Sequence, residues 1–501
     1  MIFWPLKNFQ TSSSFFRSIK KIFSIGASVL WLSTHNASAN ASTIGVNDFL
    51  KMVQDSNPAV KAAGLEEEAA DLKKELGDLE LSPYLSAGFK YFDDERFSVI
   101  QMNPPIFGNE TKGQYYSLGI SKKFSTGTSL QLMVSENPVS VITTLGPQPK
   151  IYNGSWTATL SQPLWKNFLG KSTSLRRNRE ETVAELEKTA ARLAALQILA
   201  NAEAAYWNAL YLKQEVLVRT DSLNRAKRLY DWTRRRLNNG ISQKADLVQV
   251  EALQTTRELQ LIGSEDDEKS AQRMLKDFLQ QDATSPDLII ADQFNTNRVA
   301  LLDELKQSKH LRADAYIAKL QAKLQSTVSA EIKEAVKPDL LLEASYSANG
   351  LESTLSDSLQ AAMKNEHPNK SIGVRLIVDL DFGAKSSLRK SADLSKSAAE
   401  YKSAKLEHDS NSEVFEVSRR YQELSRRILS AEQLTKLQKS KYDLERARLE
   451  NGRSTTFQVV TFEQDAAESE LLLYKLYTDQ RKIESNARLF IKDSDQTRSA
   501  Q

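Results

Sequence analysis

Residue types that commonly carry out chemistry are few in this chain, and the sequence does not group them. Its 501 residues include no Cys and four His, at positions 35, 310, 367 and 408, and no two of these His have metal-ligand spacing. No phosphate-binding loop, paired-His motif or Gly-x-Ser-x-Gly motif occurs. The adjacent His408 and Asp409 are interpreted as a solvated helix face. The sequence therefore predicts neither an enzyme nor a metal or cofactor site.

The most informative polar residues lie in two similar segments, 230–242 and 442–454. The two segments share eight identical residues at a constant offset of 212 positions. This similarity indicates that one unit is written twice, although either copy alone also fits an ordinary loop between two helices. The shared residues are Tyr230, Asp231, Arg234, Arg236, Leu237, Asn239, Gly240 and Ser242, which recur as Tyr442, Asp443, Arg446, Arg448, Leu449, Asn451, Gly452 and Ser454.

Each copy has the pattern of a helix end followed by a helix start. Asn-Gly is typical of the left-handed cap that ends a helix. The Ser that follows two residues later belongs to the types that cap the next helix by accepting a backbone N–H. Each copy therefore predicts a long helix, a tight turn and a returning helix.

The N-terminus has the pattern of an export signal. Four basic residues precede the apolar run 22–32, and Ala37-Ser38-Ala39 matches a cleavage site. Residues 1–39 are therefore predicted to be a signal peptide cleaved near Ala39, with a membrane-anchored N-terminus as the alternative. Without the signal, 63 of the 67 Lys and Arg remain against 64 Asp and Glu, so charge predicts no nucleic-acid partner. No later run is apolar for long enough to span a bilayer as a helix, which leaves a β-barrel as the predicted way to cross one.

Two regions, 83–162 and 338–381, alternate between apolar and small polar residues, as at Leu118, Gly119 and Ile120. This pattern predicts about four strands in the first region and two in the second, each roughly the ten residues that a tilted strand needs to cross an outer membrane. A soluble β-sandwich is the alternative. The predicted connections are long at 93–114, 136–151 and 348–370, on one side of the membrane, and short at the turn 125–128, on the other.

Long helices follow the strands in both halves, each on the order of 100 Å at 1.5 Å per residue. Two apolar stripes along the first long helix predict a neighbour on each side, with a helix in a globular bundle as the alternative. The first repeat, 40–298, is predicted to contain a helix at 43–79, barrel strands at 83–162, a long helix at 171–239 and a return helix at 241–280. The second repeat, 299–495, is predicted to contain a helix at 302–335, barrel strands at 338–381, a long helix at 384–451 and a return helix at 453–492. The predicted return paths combine 241–280 with 302–335, and 453–492 with 43–79.

The order of these features resembles the TolC family of outer membrane efflux proteins, over about residues 43–492. Segments 205–210 and 239–247 look like the family's first long helix and tip, and 451–454 looks like its second tip. The fold class that the resemblance implies is mainly α with a transmembrane β part. Its duplicated helix, β-hairpin, long helix and return helix would assemble into a trimeric β-barrel plus an α-helical periplasmic tunnel.

The resemblance implies passive transport with no chemistry. The chain would be the exit duct of a tripartite efflux or type I secretion system, located in the cell outer membrane with a periplasmic helical extension. Its implied partners are two further copies in a homotrimer, outer membrane lipid, a periplasmic adaptor (membrane fusion) protein and an inner-membrane transporter. A periplasmic coiled-coil adaptor or scaffold without a membrane barrel is the alternative, although adaptors typically have one helical arm and this chain has two.

The tips would be the adaptor-docking and gating end. Two positions depart from the family, because acids that follow the second tip Gly by six and nine residues are replaced here by Gln458 and Thr461. Glu463 is a candidate substitute. In the first copy Asp246 keeps the sixth position, either as a gate-stabilising contact or as a plain first-turn acid favoured by the helix dipole. The assigned tip residues are Arg236, Leu237, Asn239, Gly240, Ser242, Asp246, Arg448, Leu449, Asn451, Gly452, Ser454 and Gln458.

A further departure concerns the strands. The family has two strands in each half, whereas alternating segments at 115–124 and 126–135 indicate an additional hairpin in the first half. The sequence leaves open whether this hairpin joins the barrel.

Overall fold

A computed structural model describes most of the chain after the expected signal peptide. The expected signal peptide at 1–39 and residues 302–309 of the expected helix 302–335 lie outside the described residues. Almost all described residues belong to one compact unit that begins at Ile44. The described residues are 43–96, 98–100, 106–143, 145–291, 293–294, 310–365 and 367–492.

Helices make up most of the described chain. The two longest have 68 and 69 residues, which corresponds to roughly 100 Å each at 1.5 Å per residue. The helices are α1 (Val46–Ser56), α2 (Pro58–Lys73), α3 (Lys171–Asn238), α4 (Lys244–Phe278), α5 (Ala313–Ala335), α6 (Leu355–Lys364), α7 (Phe382–Glu450) and α8 (Thr456–Asn486). A helical turn at Leu76–Leu79 and 3₁₀ turns at Phe168–Gly170 and Ala487–Leu489 adjoin them. Within the described residues, none of the helices has both the length and the apolar character to pass through a membrane.

The helix predicted at 43–79 is interrupted at Asn57. The backbone of Asn57 is extended, with φ −72° and ψ 117°, and its side chain accepts hydrogen bonds from the N–H groups of Ala59 and Val60 at 3.0 and 3.4 Å. Pro58 then occupies the first helical position. Asn followed by Pro is a helix-start signal, so the single predicted helix was wrong because this signal lies inside it.

One antiparallel sheet contains the strands of both halves. Its six long strands follow one another in chain order, and the short strands Ser98–Ile100 and Gly146–Pro147 extend it. Four long strands come from the first half and two from the second. They are β1 (Tyr84–Asp94), β2 (Ile106–Lys123), β3 (Ser129–Thr143), β4 (Ile151–Pro163), β5 (Asp339–Glu352) and β6 (Pro368–Ile377).

The segments predicted as long loops are largely strand and helix instead. β2 and β3 extend deep into 93–114 and 136–151, and α6 lies within 348–370. The prediction was wrong because residue types typical of loops occupy strand positions here. Pro138 lies opposite Tyr152 in the β3–β4 pair.

The main hydrophobic core surrounds the middle of α3. Tyr206 and Trp207 are 1% and 0% exposed, and they pack with Phe49 of α1 and Leu275 of α4. Phe294 stacks on Tyr477 of α8 with ring centroids 5.6 Å apart. This central core therefore joins helices of both repeats at half the length of α3.

Backbone pairing near this core joins the first and last helices within each repeat. Ile44, just before α1, forms a parallel bridge with Ile290, which follows α4. Phe490–Lys492, after α8, pairs with His310–Arg312, just before α5. The predicted return paths had combined these pieces the other way round. The error arose because helix lengths alone do not distinguish the two combinations.

Candidate functional site

The two helical tips have the same backbone geometry. Gly240 and Gly452 have φ values of 73° and 71°. In the first tip the N–H of Gly240 donates to Leu237 O, and the N–H of Ile241 donates to Arg236 O, both at 2.9 Å. The second tip repeats both bonds, at 3.0 and 2.8 Å. A Cβ on either Gly would meet no atom within 4 Å, so Gly is favoured by the left-handed backbone and not by lack of room.

A second repeated feature caps the returning helices. The hydroxyl of Ser242 donates to Asp246 Oδ2 at 2.9 Å, and the N–H of the next residue donates to the same oxygen at 3.1 Å. Gln458 Oε1 lies 3.1 Å from the hydroxyl of Ser454 and 3.4 Å from the N–H of Thr455. A cap of this kind requires an oxygen acceptor and not a negative charge. The replacement of an acid by Gln458 therefore preserves the cap.

Exchange of the two capping residues tests this equivalence. Asp246→Gln combined with Gln458→Asp is expected to leave the tips as well protected as in the unmodified chain. Asp246→Ala combined with Gln458→Ala is expected to weaken each cap by about 1 kcal/mol. Hydrogen exchange of the amides in the first turns of α4 and α8 measures the difference. Faster exchange in the swapped variant would contradict an acceptor-only role.

The arginines beside the tips have partners within their own chain. The guanidinium of Arg236 lies 4.6 Å from the centre of the Trp232 ring. Arg448 Nη1 lies 3.3 Å from Glu445 Oε2, and its side chain is 64% exposed. Of the other assigned tip residues, Leu449 is buried, Leu237, Ser242, Asp246 and Ser454 are half-buried, and Asn239, Gly240, Asn451, Gly452 and Gln458 are exposed.

A cavity of about 350 Å³ lies between α3, α7 and the start of α8, close to the tips. Guanidinium groups and aromatic rings share its lining. Burial raises the pKa of Tyr442, against the effect of the nearby Arg225. Arg446 pairs with Glu450 at 3.2 Å. The polar and aromatic residues that line the cavity are Arg225, Arg228, Asp231, Trp232, Arg235, Tyr442, Arg446 and Glu450.

A buried ionic cluster lies farther from the tips, where α3, α4 and α8 meet. Glu463 Oε2 is 2.8 Å from Arg257 Nη2, and both side chains are 4% exposed. Glu463 Oε1 accepts from the hydroxyl of Ser222 at 2.6 Å and lies 3.1 Å from Arg225 Nη2. The expectation that Glu463 replaces a constriction acid is therefore wrong, because its carboxylate is enclosed by side chains of its own chain.

Sequence reasoning missed the partners of Glu463, although a signal was present. Arg257 continues the buried stripe of Val250 and Leu253 at helical spacing, so a charged residue occupies an apolar position. The duplication does not predict that Glu463 is buried, because the residue that corresponds to it in the first repeat, Glu251, is exposed. The ionic cluster is therefore not duplicated at this position.

The sheet exposes an apolar face. Leu85 lies opposite Ile120, Ile120 opposite Leu132, and Leu132 opposite Ala158. Leu85, Ile120 and Leu132 are 71%, 48% and 45% exposed, so their shared face has little cover. Such a continuous exposed apolar surface marks a site of contact with another apolar surface. Other exposed members of this face are Leu118, Val134, Leu160, Ile372, Val374 and Leu376.

The opposite face of the sheet is polar and built mainly from small residues. Ser135 and Ser155 are hydrogen-bonded across β3 and β4 at 2.8 Å, and Ser345 and Ser371 are bonded across β5 and β6 at 2.7 Å. The sheet therefore presents one apolar and one hydroxyl-rich surface.

An acidic cluster lies where β1 ends and β2 begins. Carboxylate oxygens of Asp93, Glu95 and Glu110 lie within 4.8 Å of one another. Lys112 pairs with Glu110 and lies 3.4 Å from Asp93. A lysine ammonium therefore already balances part of this negative charge.

Comparisons with known proteins identify the fold. No family model and no curated protein sequence matches this chain. The fold matches the outer membrane protein VceC of Vibrio cholerae with a TM-score of 0.61 and 15% identity, over 89% of this chain and 94% of that one. It matches the open state of the MtrE outer membrane channel of Neisseria gonorrhoeae with a TM-score of 0.61 and 13% identity, over 89% and 88% of the two chains. For the CmeC outer membrane channel of Campylobacter jejuni the TM-score is 0.60 and the identity 12%, over 91% and 89%. The resemblance that the sequence indicated is thus confirmed at the level of the fold.

Proposed function

We propose that this chain, which has the fold of outer membrane channels, is the outer membrane exit channel of a tripartite efflux or type I secretion system. The two-faced sheet is the observation that carries the proposal. Its apolar face is exposed, and in water such a surface would be costly, whereas lipid covers it without loss. The hydroxyl-rich face then borders an aqueous passage.

The helices extend from the sheet to the proposed periplasmic end. α3 and α7 place the two tips roughly 100 Å from the strands at 1.5 Å per residue. Three copies would surround one passage, with an adaptor and an inner-membrane transporter at the tips. Transport is passive in this proposal, since conduction requires the tips to separate and involves no bond making or breaking. Residues 1–39 would be removed on export, and N-terminal sequencing of the mature protein checks cleavage after Ala39.

Cell fractionation and bilayer recording test the channel proposal. The full-length protein, expressed with its export signal, is expected in the outer membrane fraction as a trimer. The purified trimer is expected to conduct ions in planar lipid bilayers. Recovery of the protein in the soluble periplasm would contradict the proposal and favour the adaptor or scaffold interpretation.

The gene neighbourhood would indicate the class of system. An ABC transporter encoded beside this chain would favour type I secretion, and a proton-driven pump would favour efflux.

Charge reversal at the tips tests whether they dock a partner. Arg236→Glu combined with Arg448→Glu is expected to impair export, since it reverses the charge at matching places beside both tips, where a partner would dock. The variant is expected to remain trimeric in the outer membrane. Export is measured as secreted protein or as drug susceptibility in a strain that lacks the gene. The variant is compared with the unmodified copy in that strain.

A matched control reverses the same number of charges far from the tips. Lys402 and Lys405 are exposed on α7, and their double substitution by Glu is expected to leave export unchanged. Normal export by the Arg236→Glu, Arg448→Glu variant would show that these tips are not the docking end.

A further inference from the structure

The sheet has two open edges within the described chain. β1 pairs with β2 alone among the long strands, and β6 pairs with β5 alone. These edge strands are 11 and 10 residues long. Because six antiparallel strands follow one another, β1 and β6 run in opposite directions. The β6 edge of one copy can therefore pair antiparallel with the β1 edge of the next, in the head-to-tail manner that closes a ring.

The hairpin β2–β3 is an integral part of this sheet. β1 pairs with β2 along its whole length, and β3 pairs with β4 without a register shift. The apolar row from Leu85 to Ala158 passes through Ile120 and Leu132, which both belong to the hairpin. Removal of the hairpin from the sheet would leave a gap of two strands between β1 and β4.

The turn of this hairpin is fixed against the start of α3. Lys123 Nζ lies 2.6 Å from Glu80 Oε1, and Arg176 pairs with the other oxygen of Glu80. A Cβ on Gly127 would lie 2.8 Å from Asn167 Nδ2. The hairpin turn therefore lies on the side of the sheet where the helices begin, in line with the other strand ends.

We propose that three copies of this chain form a barrel of eighteen strands, with six from each copy and the hairpin β2–β3 in its wall. The inference rests on the proposed function, which supplies the trimer. With strands about 4.8 Å apart and tilted by about 40°, eighteen strands give a backbone diameter of roughly 36 Å, against roughly 24 Å for twelve. The hairpins thus widen the outlet about 1.5-fold, into the size range in which barrels hold an aqueous channel.

The polar face indicates what this outlet accepts. It carries mainly Ser, Thr and Gly, and Glu343 and Arg375 on this face pair with each other at 2.8 Å. A wide, hydroxyl-lined wall without a strong field of one sign suits bulky hydrophilic cargo better than it selects ions.

Electron cryo-microscopy of the purified full-length trimer tests the proposal directly, because the strands are counted in the unmodified protein. Eighteen strands and a barrel about 1.5-fold wider than a twelve-stranded one are expected. A trimeric barrel of twelve strands, with the hairpin outside the wall, would overturn the inference and leave the proposed function intact. A protein that forms no barrel at all would overturn both.

Disulfide mapping in the outer membrane gives a second measurement. The chain has no Cys, so introduced pairs react without background. Leu85→Cys with Ile120→Cys, and Leu132→Cys with Ala158→Cys, are expected to cross-link, since each pair lies directly opposite in the sheet. The control pair Leu85→Cys with Ala158→Cys is expected to stay unlinked, because three strand spacings of about 4.8 Å separate these positions. Cross-linking of the control pair with loss of the other two would place β1 beside β4 and overturn the inference.

Discussion

Glu463→Gln is expected to destabilise the protein by about 3–5 kcal/mol, because it removes one partner from a buried ion pair. Arg257 and Glu463 are each 4% exposed, so water cannot replace the lost carboxylate. The amide of Gln can still accept from Ser222, but it cannot neutralise Arg257 and Arg225. The loss is measured as a lower melting temperature and a lower urea midpoint of the purified protein.

The same helix offers a matched control for this prediction. Glu468 is exposed, and its carboxylate accepts from the side chain of Gln464 at 2.8 Å. Glu468→Gln makes the same chemical change five residues away and is expected to alter stability by less than about 0.5 kcal/mol. If both variants melted alike, the buried cluster would not stabilise the fold as described.

A double variant separates the pair from general effects of substitution. Glu463→Gln combined with Arg257→Gln removes both charges of the closest ion pair, so neither charge is left without its partner. Its loss of stability is expected to be smaller than the sum of the two single losses, as is usual for groups in direct contact. Additive losses would indicate that the two side chains do not interact in solution.

The ionic cluster also has a consequence for the proposed gate. It joins α8 of the second repeat to α3 and α4 of the first repeat, on the tip side of the central core. Tips that separate must bend beyond this point or break the cluster. If the proposed channel forms, the Glu463→Gln protein is therefore expected to open more often in bilayer recordings, in addition to its lower stability.

Local signals explain what the sequence could predict. The helix ends at Gly240 and Gly452 follow from Asn-Gly, a signal that acts within a few residues. The prediction that the following Ser caps the next helix was wrong, because Gln243 and Thr455 hold the cap positions and the Ser hydroxyls donate to side-chain oxygens instead. The observed α3, Lys171–Asn238, ends within one residue of the prediction, because the Asn-Gly cap is a local signal. The fold could be inferred since the order of such signals along the chain is itself specific.

Features that depend on distant contacts could not be predicted in the same way. Ser222, Arg257 and Glu463 come from three helices, and no local pattern shows that they meet. The extent of β2 and β3 was missed because strand positions are occupied by residues such as Gly108 and Pro138, which stay paired to their neighbours. The docking and gating roles of the tip residues stay predictions.

Gly170→Ala is expected to disrupt the joint between the sheet and α3. Gly170 has a φ of 77°, and an added Cβ would lie 1.7 Å from the carbonyl oxygen of Ser125 in the hairpin turn. The left-handed backbone alone costs a residue with a side chain about 1–2 kcal/mol. The overlap with backbone must then displace the turn, which places the total loss at roughly 4–5 kcal/mol, the upper end for single substitutions.

The duplication supplies the control for this prediction. Gly383 occupies the corresponding place at the start of α7, but a Cβ there would meet only Asp381 Oδ1, at 3.6 Å, and its φ lies outside the left-handed range. Gly383→Ala is expected to be neutral or slightly stabilising, because Ala favours a helix more than Gly does. The two variants are compared by the melting temperature of the purified protein and by disulfide formation between Leu132→Cys and Ala158→Cys. If the two variants behaved alike, the hairpin turn would not depend on its contact with Gly170. If only Gly170→Ala lowered the melting temperature and the disulfide yield, the start of α3 would hold the hairpin β2–β3 in place.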